Sequence, residues 1–375
     1  PTHKPGSEIN FPFPNDQTKD DKVDIIAGYP WFGRWGRDSF ISLPGLCVGL
    51  NDMKIFKKAI DTLIGDMHQG IFPNIGSGNN SAYNSVDAPM WFFWALQQYV
   101  EYTGKGKQVW KEYKQVMQTI LRTYRDGTNS NIKMLDNGLI WAGEDGKALT
   151  WMDAVINGQP VTQRKGQCVE INALWYNAIM FCLELAKESK DTEFISEWKD
   201  LAERIPNEFK QTFWEKNIGW LADYVDGYYK DFTVRPNMVF ATSLKYTCLS
   251  HKIRQLIVDR IEKELLIPYG LRTLSPTHHD YHDRYCGSQE ERDNAYHQGT
   301  AWAWLLGHFV EGYLKVYGSC AKEVGEKIYE GFKKTMKDYG VGFVAEVFDG
   351  NPPHYAGGSI SQAWSVGAVG FSHLW

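Results

Sequence analysis

Apolar residues recur along this chain at a period near 3.6, in stretches of helix length, while the strict alternation of a half-buried strand is scarce. The pattern predicts helices over 38–49, 52–68, 87–103, 107–125, 169–188, 191–211, 236–250, 253–266, 296–316, 319–338 and 359–373. They fall into hairpin pairs. Within pairs the links are short and carry turn or helix-stop residues, as at Asn51-Asp52, Gly104-Lys105-Gly106 and Tyr317-Gly318. Between pairs the links are long: 69–86, 126–168, 212–235, 267–295 and 339–358 are rich in Gly, Asn, Asp, Pro and aromatic residues.

Two helices per unit, with every long loop at the same phase of the repeat, would gather those loops at one end of a ring of helices. The expected fold is therefore all-α, an (α/α)6 toroid. A helical solenoid is the competing architecture, but its repeats should resemble one another in length and sequence, and these do not. Six hairpins require twelve helices and eleven are visible; the twelfth is either absent or supplied by the segment before residue 38.

Composition narrows the chemistry. At 375 residues, 43% hydrophobic and 23% charged, the chain can bury a sizeable core, and no run approaches the ~18 apolar residues of a membrane span. A net charge of −5, from 40 basic and 45 acidic residues, gives no footprint for nucleic acid or an anionic membrane and leaves neutral substrates open. The 15 Trp, 20 Tyr and 19 Phe exceed what a core ordinarily calls for. Most pack helices, but rings of this kind also receive the apolar C–H face of a pyranose. Six cysteines, at 47, 168, 182, 248, 286 and 320, form no C-x-x-C pair and sit mostly in apolar runs, which fits a reducing compartment and a cytoplasmic location. Pro1-Thr2-His3-Lys4-Pro5 has neither an initiating Met nor an apolar signal core, so a missing N-terminal domain is expected.

Two acidic residues lie on long loops among apolar neighbours: Asp153 in Leu149-Thr150-Trp151-Met152-Asp153-Ala154, and Glu346 in Gly342-Phe343-Val344-Ala345-Glu346-Val347-Phe348-Asp349-Gly350. Partial desolvation raises a carboxyl pKa and lets it stay protonated near neutrality, as a general acid requires. Glycosidic cleavage needs such an acid and a second carboxylate. Taken singly, either residue reads equally as a cap or a solvated loop charge. Just before the first helix, Trp31-Phe32-Gly33-Arg34-Trp35-Gly36-Arg37-Asp38-Ser39 sets rings and glycines beside an adjacent cation and anion, which together can donate to and accept from neighbouring sugar hydroxyls. Asp38 is equally placed to be an N-cap.

The segments Trp35-Gly36-Arg37-Asp38-Ser39, Tyr83-Asn84-Ser85-Val86-Asp87-Ala88, Thr150-Trp151-Met152-Asp153-Ala154, Val169-Glu170-Ile171-Asn172-Ala173-Leu174-Trp175-Tyr176-Asn177, Tyr296-His297-Gln298-Gly299-Thr300 and Gln362-Ala363-Trp364-Ser365 resemble, in sequence and order, the C-terminal amylo-α-1,6-glucosidase domain of glycogen debranching enzymes. The resemblance runs from about residue 30 to the end. It implies a glucoamylase-like toroid over 31–375, preceded by an extension or linker over 1–30, that hydrolyses the α-1,6-linked glucose left at a trimmed branch of glycogen or limit dextrin. It places an acid after the third hairpin, at Asp153, and a base after the fifth, at Glu346; glucoamylases proper have Glu where this chain has Asp153. Arg37 and Asp38 match the pair that holds the outer hydroxyls of the terminal glucose. Such glucosidases invert, so the two carboxyls should stand ~6.5–9.5 Å apart.

Further candidate substrate contacts are Trp35, Asp87, Trp151, Glu170, His297, Gln298 and Trp364. Asp87 is equally an N-cap, Glu170 either a glucose contact or a support for Asp153, and His297 with Gln298, read as a helix start, a donor to a hydroxyl or to the base. No cofactor or metal is expected: His278-His279-Asp280-Tyr281-His282-Asp283 matches no standard zinc spacing, the resembled family needs none, and the run reads as a rim loop. Gly76-Ser77-Gly78-Asn79-Asn80 is a turn and no phosphate loop, lacking a preceding strand and a following Lys-Ser/Thr. Two other readings stay open: a toroid glucosidase for trehalose or maltose, and a noncatalytic glucan-binding module, which would need the rings but not two partly buried acids.

Overall fold

A computed structural model describes residues 22–76, 81–128 and 131–371. Twelve α-helices order them: α1 (Gly36–Leu43, continued by a π-turn Pro44–Val48), α2 (Met53–Gly65), α3 (Ala88–Thr103), α4 (Gly106–Asp126), α5 (Val169–Glu188), α6 (Thr192–Phe213), α7 (Phe240–Ser243, led by a 3₁₀ turn Pro236–Val239), α8 (His251–Glu264), α9 (Gln289–Tyr296), α10 (Leu305–Tyr317), α11 (Ala321–Thr335) and α12 (Ala363–Phe371).

Helices α1, α3, α5, α7, α10 and α12 each pack on the next, and α12 returns to α1, so six helices close an inner ring. The fold is an all-α toroid, as expected. The closing contact is tight: a Cβ on Gly45 would lie 1.8 Å from the Gly367 carbonyl oxygen, so only glycine lets the end of α1 approach α12. Outside the ring lie α2, α4, α6, α8 and α11. The two layers differ in sequence as their surroundings demand. The outer α4 buries Val109, Trp110, Tyr113, Met117, Ile120, Leu121 and Tyr124 on one stripe, whereas the inner α3 buries a continuous Ala88–Gln97 run. Rings from several inner helices meet inside: Trp91 touches Phe240 at 5.3 Å and Trp304 at 5.9 Å.

The ring leaves one outer place, beside α12, without a helix among the described residues, and residues 22–35 contain no helix that could fill it. Of the expected extension over 1–30, residues 1–21 lie outside the described residues. Val23 and Ala27 are buried, and strand 28–29 pairs with 361–362. The turn at 77–80 also lies outside the described residues.

Three expected helices are corrected. That over 236–250 ends at Ser243, because Thr247 Oγ1 donates to the Ala241 carbonyl (2.6 Å) and Asn177 Oδ1 accepts from the Tyr246 N–H (3.2 Å), replacing the next helical turn. That over 296–316 begins only at Leu305. Gly299 sits at φ +145°, where a Cβ would meet the His282 carbonyl oxygen at 2.2 Å, and Ala301–Trp302 is a strand in a five-stranded antiparallel sheet with 266–267, 270–272, 347–348 and 356–357. Third, 359–360 is a bend and 361–362 a strand, and α12 starts at Ala363. Of the long loops, 126–168, 212–235, 267–295 and 339–358 carry short strand pairs, and 69–86 has isolated bridges among its described residues. All carry the chain to the N-terminal ends of the inner helices.

Candidate active site

Those N-terminal ends converge on one cavity of about 220 Å³, lined among others by Trp35, Arg37, Asp38, Trp151, Asp153 and Glu346. Arg37 and Asp38 stand in the first turn of α1, and both are buried. The Arg37 fork donates to both oxygens of Asp87 (Nε to Oδ2 2.7 Å, Nη2 to Oδ1 3.0 Å) and, from Nη1, to Asp153 Oδ2 (3.0 Å). Burial works against the guanidinium charge, yet Asp87, Asp153 and Asp38 hold its pKa above the ordinary value. Asp87 makes no side-chain cap on α3; Ser85 Oγ accepts from the Ala88 N–H instead, at 3.1 Å. Its role is to hold Arg37, and it does not line the cavity.

Asp38 lies beside Arg37 but points elsewhere: its Oδ1 accepts from Gln362 Nε2 at 2.9 Å. Burial pushes its pKa up to about 8, with the nearby Asp153 and Glu346 charges adding to the rise and Arg37 opposing it. The helix-cap reading of Asp38 fails, because α1 carries no side-chain cap at Trp35 and Asp38 lies within the helix.

Asp153 keeps its side chain 23% exposed, on the cavity. Burial raises its pKa while Arg37 pulls it down, leaving a net rise. Glu346 faces the same cavity. Its Oε1 accepts from the Tyr296 hydroxyl in a short bond and its Oε2 from the Ser359 N–H at 2.8 Å. Burial pushes the carboxyl up to about 7 despite both donors. Asp153 and Glu346, 193 residues apart in sequence, therefore open into one space.

Trp35, Trp151 and Trp364 line it as well. Trp151 is fixed by its indole N–H on Asn237 Oδ1 (2.7 Å), and Asn237 Nδ2 donates in turn to Asp223 Oδ1 (2.7 Å). Behind them Arg164 ties Asp223 (Nε to Oδ2, 2.6 Å) to Glu170 (Nη2 to Oε2, 2.6 Å). Glu170 is consequently no cavity residue: its carboxylate is engaged by Arg164, one layer behind Trp151. Nor do His297 and Gln298 line the cavity. They follow the end of α9 and do not start a helix. The His297 ring lies flat on Trp302 (5.2 Å, 12°) and burial keeps it neutral, far below its usual pKa. Gln298 Oε1 accepts from Arg235 Nη2 at 2.7 Å.

The cavity also contains residues that were not singled out from the sequence: Tyr285, Tyr296, Trp302 and Gln362. Tyr296 and Gln362 stand at the heads of two of the motif segments, so their position in those motifs was the available signal. His278, His279 and Asp280, none of which lines the cavity, bring three ligand atoms within 4.8 Å of one another, half-buried to exposed. No helix of the described residues is long and apolar enough to cross a membrane.

A helical ring with two carboxyls, Glu346 buried and Asp153 part-exposed, facing one cavity lined by aromatic rings defines, by fold and site, a glycoside hydrolase. A family model for amylo-alpha-1,6-glucosidase matches residues 10–370, and the chain belongs to that family. It is similar to the glycogen debranching enzyme of Saccharomyces cerevisiae (strain ATCC 204508 / S288c), 26% identical across 81% of this chain. The match covers 26% of that relative, so the chain spans about a quarter of its length.

Proposed function

We propose that this cavity removes single α-1,6-linked glucose units from the trimmed branch points of glycogen or limit dextrin, with inversion. Asp153 protonates the departing glycosidic oxygen. Glu346 takes a proton from a water that attacks C1 from the opposite face, so the C1–O bond breaks as the new one forms and β-glucose leaves. Arg37, held by Asp87, and Asp38, held by Gln362, bind the outer hydroxyls of the terminal sugar, and Trp35, Trp151 and Trp364 pack on its ring. The observation that carries the reading is that two carboxyls far apart in sequence, Asp153 and Glu346, face one cavity walled by Trp35, Trp151 and Trp364. The free thiols of Cys47, Cys168, Cys182, Cys248 and Cys286 favour a cytoplasmic setting.

The test is incubation with phosphorylase limit dextrin and with maltose side by side, following the product by NMR within seconds. Release of β-glucose from the dextrin alone is expected. An initial α-anomer would overturn inversion, and equal release from maltose would overturn the linkage assignment.

A further inference from the structure

Helix α9 forms one wall of the cavity. Gln289, Asp293 and Tyr296, at i, i+4 and i+7, lie on one face of it, and all three line the space. That face runs from solvent inwards: Gln289 is exposed, Asp293 half-buried, and Tyr296 reaches Glu346 with its hydroxyl. At ~1.5 Å per residue, Asp293 stands ~4.5 Å and Gln289 ~10 Å from Tyr296 along the axis, so the wall is deeper than one sugar. A capping box holds its outer end: Ser288 Oγ accepts from the Glu291 N–H (3.3 Å) and Glu291 Oε2 from the Ser288 N–H (2.7 Å).

The wall stands on the side of Asp153, because α9 packs on strand 155–156, which begins two residues after it. Asp38, Trp151, Trp302, Glu346 and Trp364 are buried and form the floor. The lining further out is part-exposed at Tyr285 and Asp293 and exposed at Gln289. Its partners leave hydrogen-bonding capacity there. Asp293 Oδ1 accepts from Gln289 Nε2 at 2.7 Å, and Gln289 Oε1 accepts from Arg292 Nη2 at 2.9 Å. Asp293 Oδ2 accepts from no donor among the described residues and is not a buried atom, so solvent reaches it. Gln289 Nε2 carries a second hydrogen. An open carboxylate oxygen beside an amide donor can meet two neighbouring hydroxyls of one sugar, and the Tyr285 ring next to them offers an apolar surface.

We propose that Asp293 and Gln289 hold the glucosyl unit that bears the departing oxygen, with Asp293 Oδ2 accepting from one of its hydroxyls, the Gln289 amide donating to another, and the Tyr285 ring packing on its C–H face. The assignment rests on the hydrolytic reading above, which puts the terminal glucose on the floor and its leaving oxygen at Asp153. These residues then set the choice of leaving group: a glucan engages them, and a substrate whose leaving group is not a sugar does not.

The experiment compares kcat/KM for phosphorylase limit dextrin with that for α-glucosyl fluoride, in the full chain. Asp293→Ala should lower the dextrin-to-fluoride ratio by about tenfold or more, through loss of a charged acceptor, and Gln289→Ala by about threefold or more. Turnover of the fluoride reports that each variant is folded. A ratio that Asp293→Ala leaves at the wild-type value would overturn the proposal, because a merely structural role would slow both substrates alike. Crystals of Glu346→Gln soaked in isomaltose give a second measurement that needs no hydrolysis. The inner ring is expected beside Arg37 and Asp38 and the outer ring bonded to Asp293. An outer ring held elsewhere, with Asp293 facing only water, would overturn the proposal as well. If the wild type cleaves neither substrate, the hydrolytic reading falls and the soak alone decides: sugar on Asp293 would leave this assignment standing, and its absence would end it.

Discussion

Removal of one oxygen tests Glu346 as the proposed base. Tyr296→Phe deletes the hydroxyl that donates to Glu346 Oε1 and keeps the ring, whose centroid lies 4.7 Å from that of Trp302 and 4.7 Å from that of His297. Burial drives the Glu346 carboxyl up to about 7 while the Tyr296 hydroxyl and the Ser359 N–H pull it down. A hydrogen bond to a charged group contributes ~1.5 kcal/mol or more, and 1.4 kcal/mol is about one pH unit. Losing the Tyr296 donor should therefore raise the carboxyl by about one further unit, to about 8.

A base acts in its ionised form, so activity rises with pH through that value. At pH near 6 the variant should be roughly tenfold slower than the wild type, and well above pH 8 the deficit should shrink towards none. The assay is kcat/KM against pH, which reports groups of the free enzyme, with α-glucosyl fluoride as substrate. Fluoride leaves without a proton, so the titration of Asp153 does not distort the profile. An acid limb that stays in place would remove either Glu346 as base or Tyr296 as its donor. A uniform loss at every pH would make Tyr296 a packing residue only.

Glu346→Gln should nearly abolish hydrolysis and yet stabilise the fold at alkaline pH. The folded carboxyl titrates near 7 against 4.5 for the free group, so the native state binds the proton more tightly and loses stability as pH rises between those values; removing the charge should recover on the order of 3 kcal/mol above pH 7 and nothing below 4.5, read as Tm against pH. Arg37→Ala leaves the Asp87 and Asp153 carboxylates without their cation and should cost about 3–5 kcal/mol in urea unfolding, besides activity; a loss below 1 kcal/mol would say that the ion cluster contributes little. Asp153→Asn should slow cleavage of an α-1,6 branch by roughly 10²–10⁴ while sparing α-glucosyl fluoride; equal losses on both would mean that Asp153 positions the sugar or its loop.

The helices were legible because their signal is local. Both layers of the toroid repeat at 3.6 residues, and eight of the eleven expected helices match an observed helix to within a few residues at each end, the other three being those corrected above. The failures fall where a distant partner decides. Asn177, which accepts the Tyr246 N–H from 69 residues away, ends α7, and His282 crowds Gly299, at separations that no periodicity reports. The strands were illegible for a related reason: at two or three residues each they are too short for an alternation to register.

The same distinction separates the cavity residues from those behind them. Arg37, Asp38, Trp151 and Asp153 belong to compact motifs, and the motifs mark the cavity itself. Glu170 belongs to one too, but its motif could not say whether it faced a sugar or supported the site. That depended on Arg164, six residues upstream, and on Asp223, which Arg164 also grips; Asp223 in turn orders Asn237, and Asn237 orders Trp151. Two of these links, Arg164 to Asp223 and Asn237 to Trp151, join different loops, and every member is buried. A buried carboxylate costs several kcal/mol unless its oxygens are met, so Glu170 and Asp223 persist only because Arg164 satisfies both at once. Such a cluster is worth little as net stability. It holds Trp151, beside Asp153, through Asn237, and the acid role proposed for Asp153 requires one fixed arrangement of that loop more than it requires a stable one.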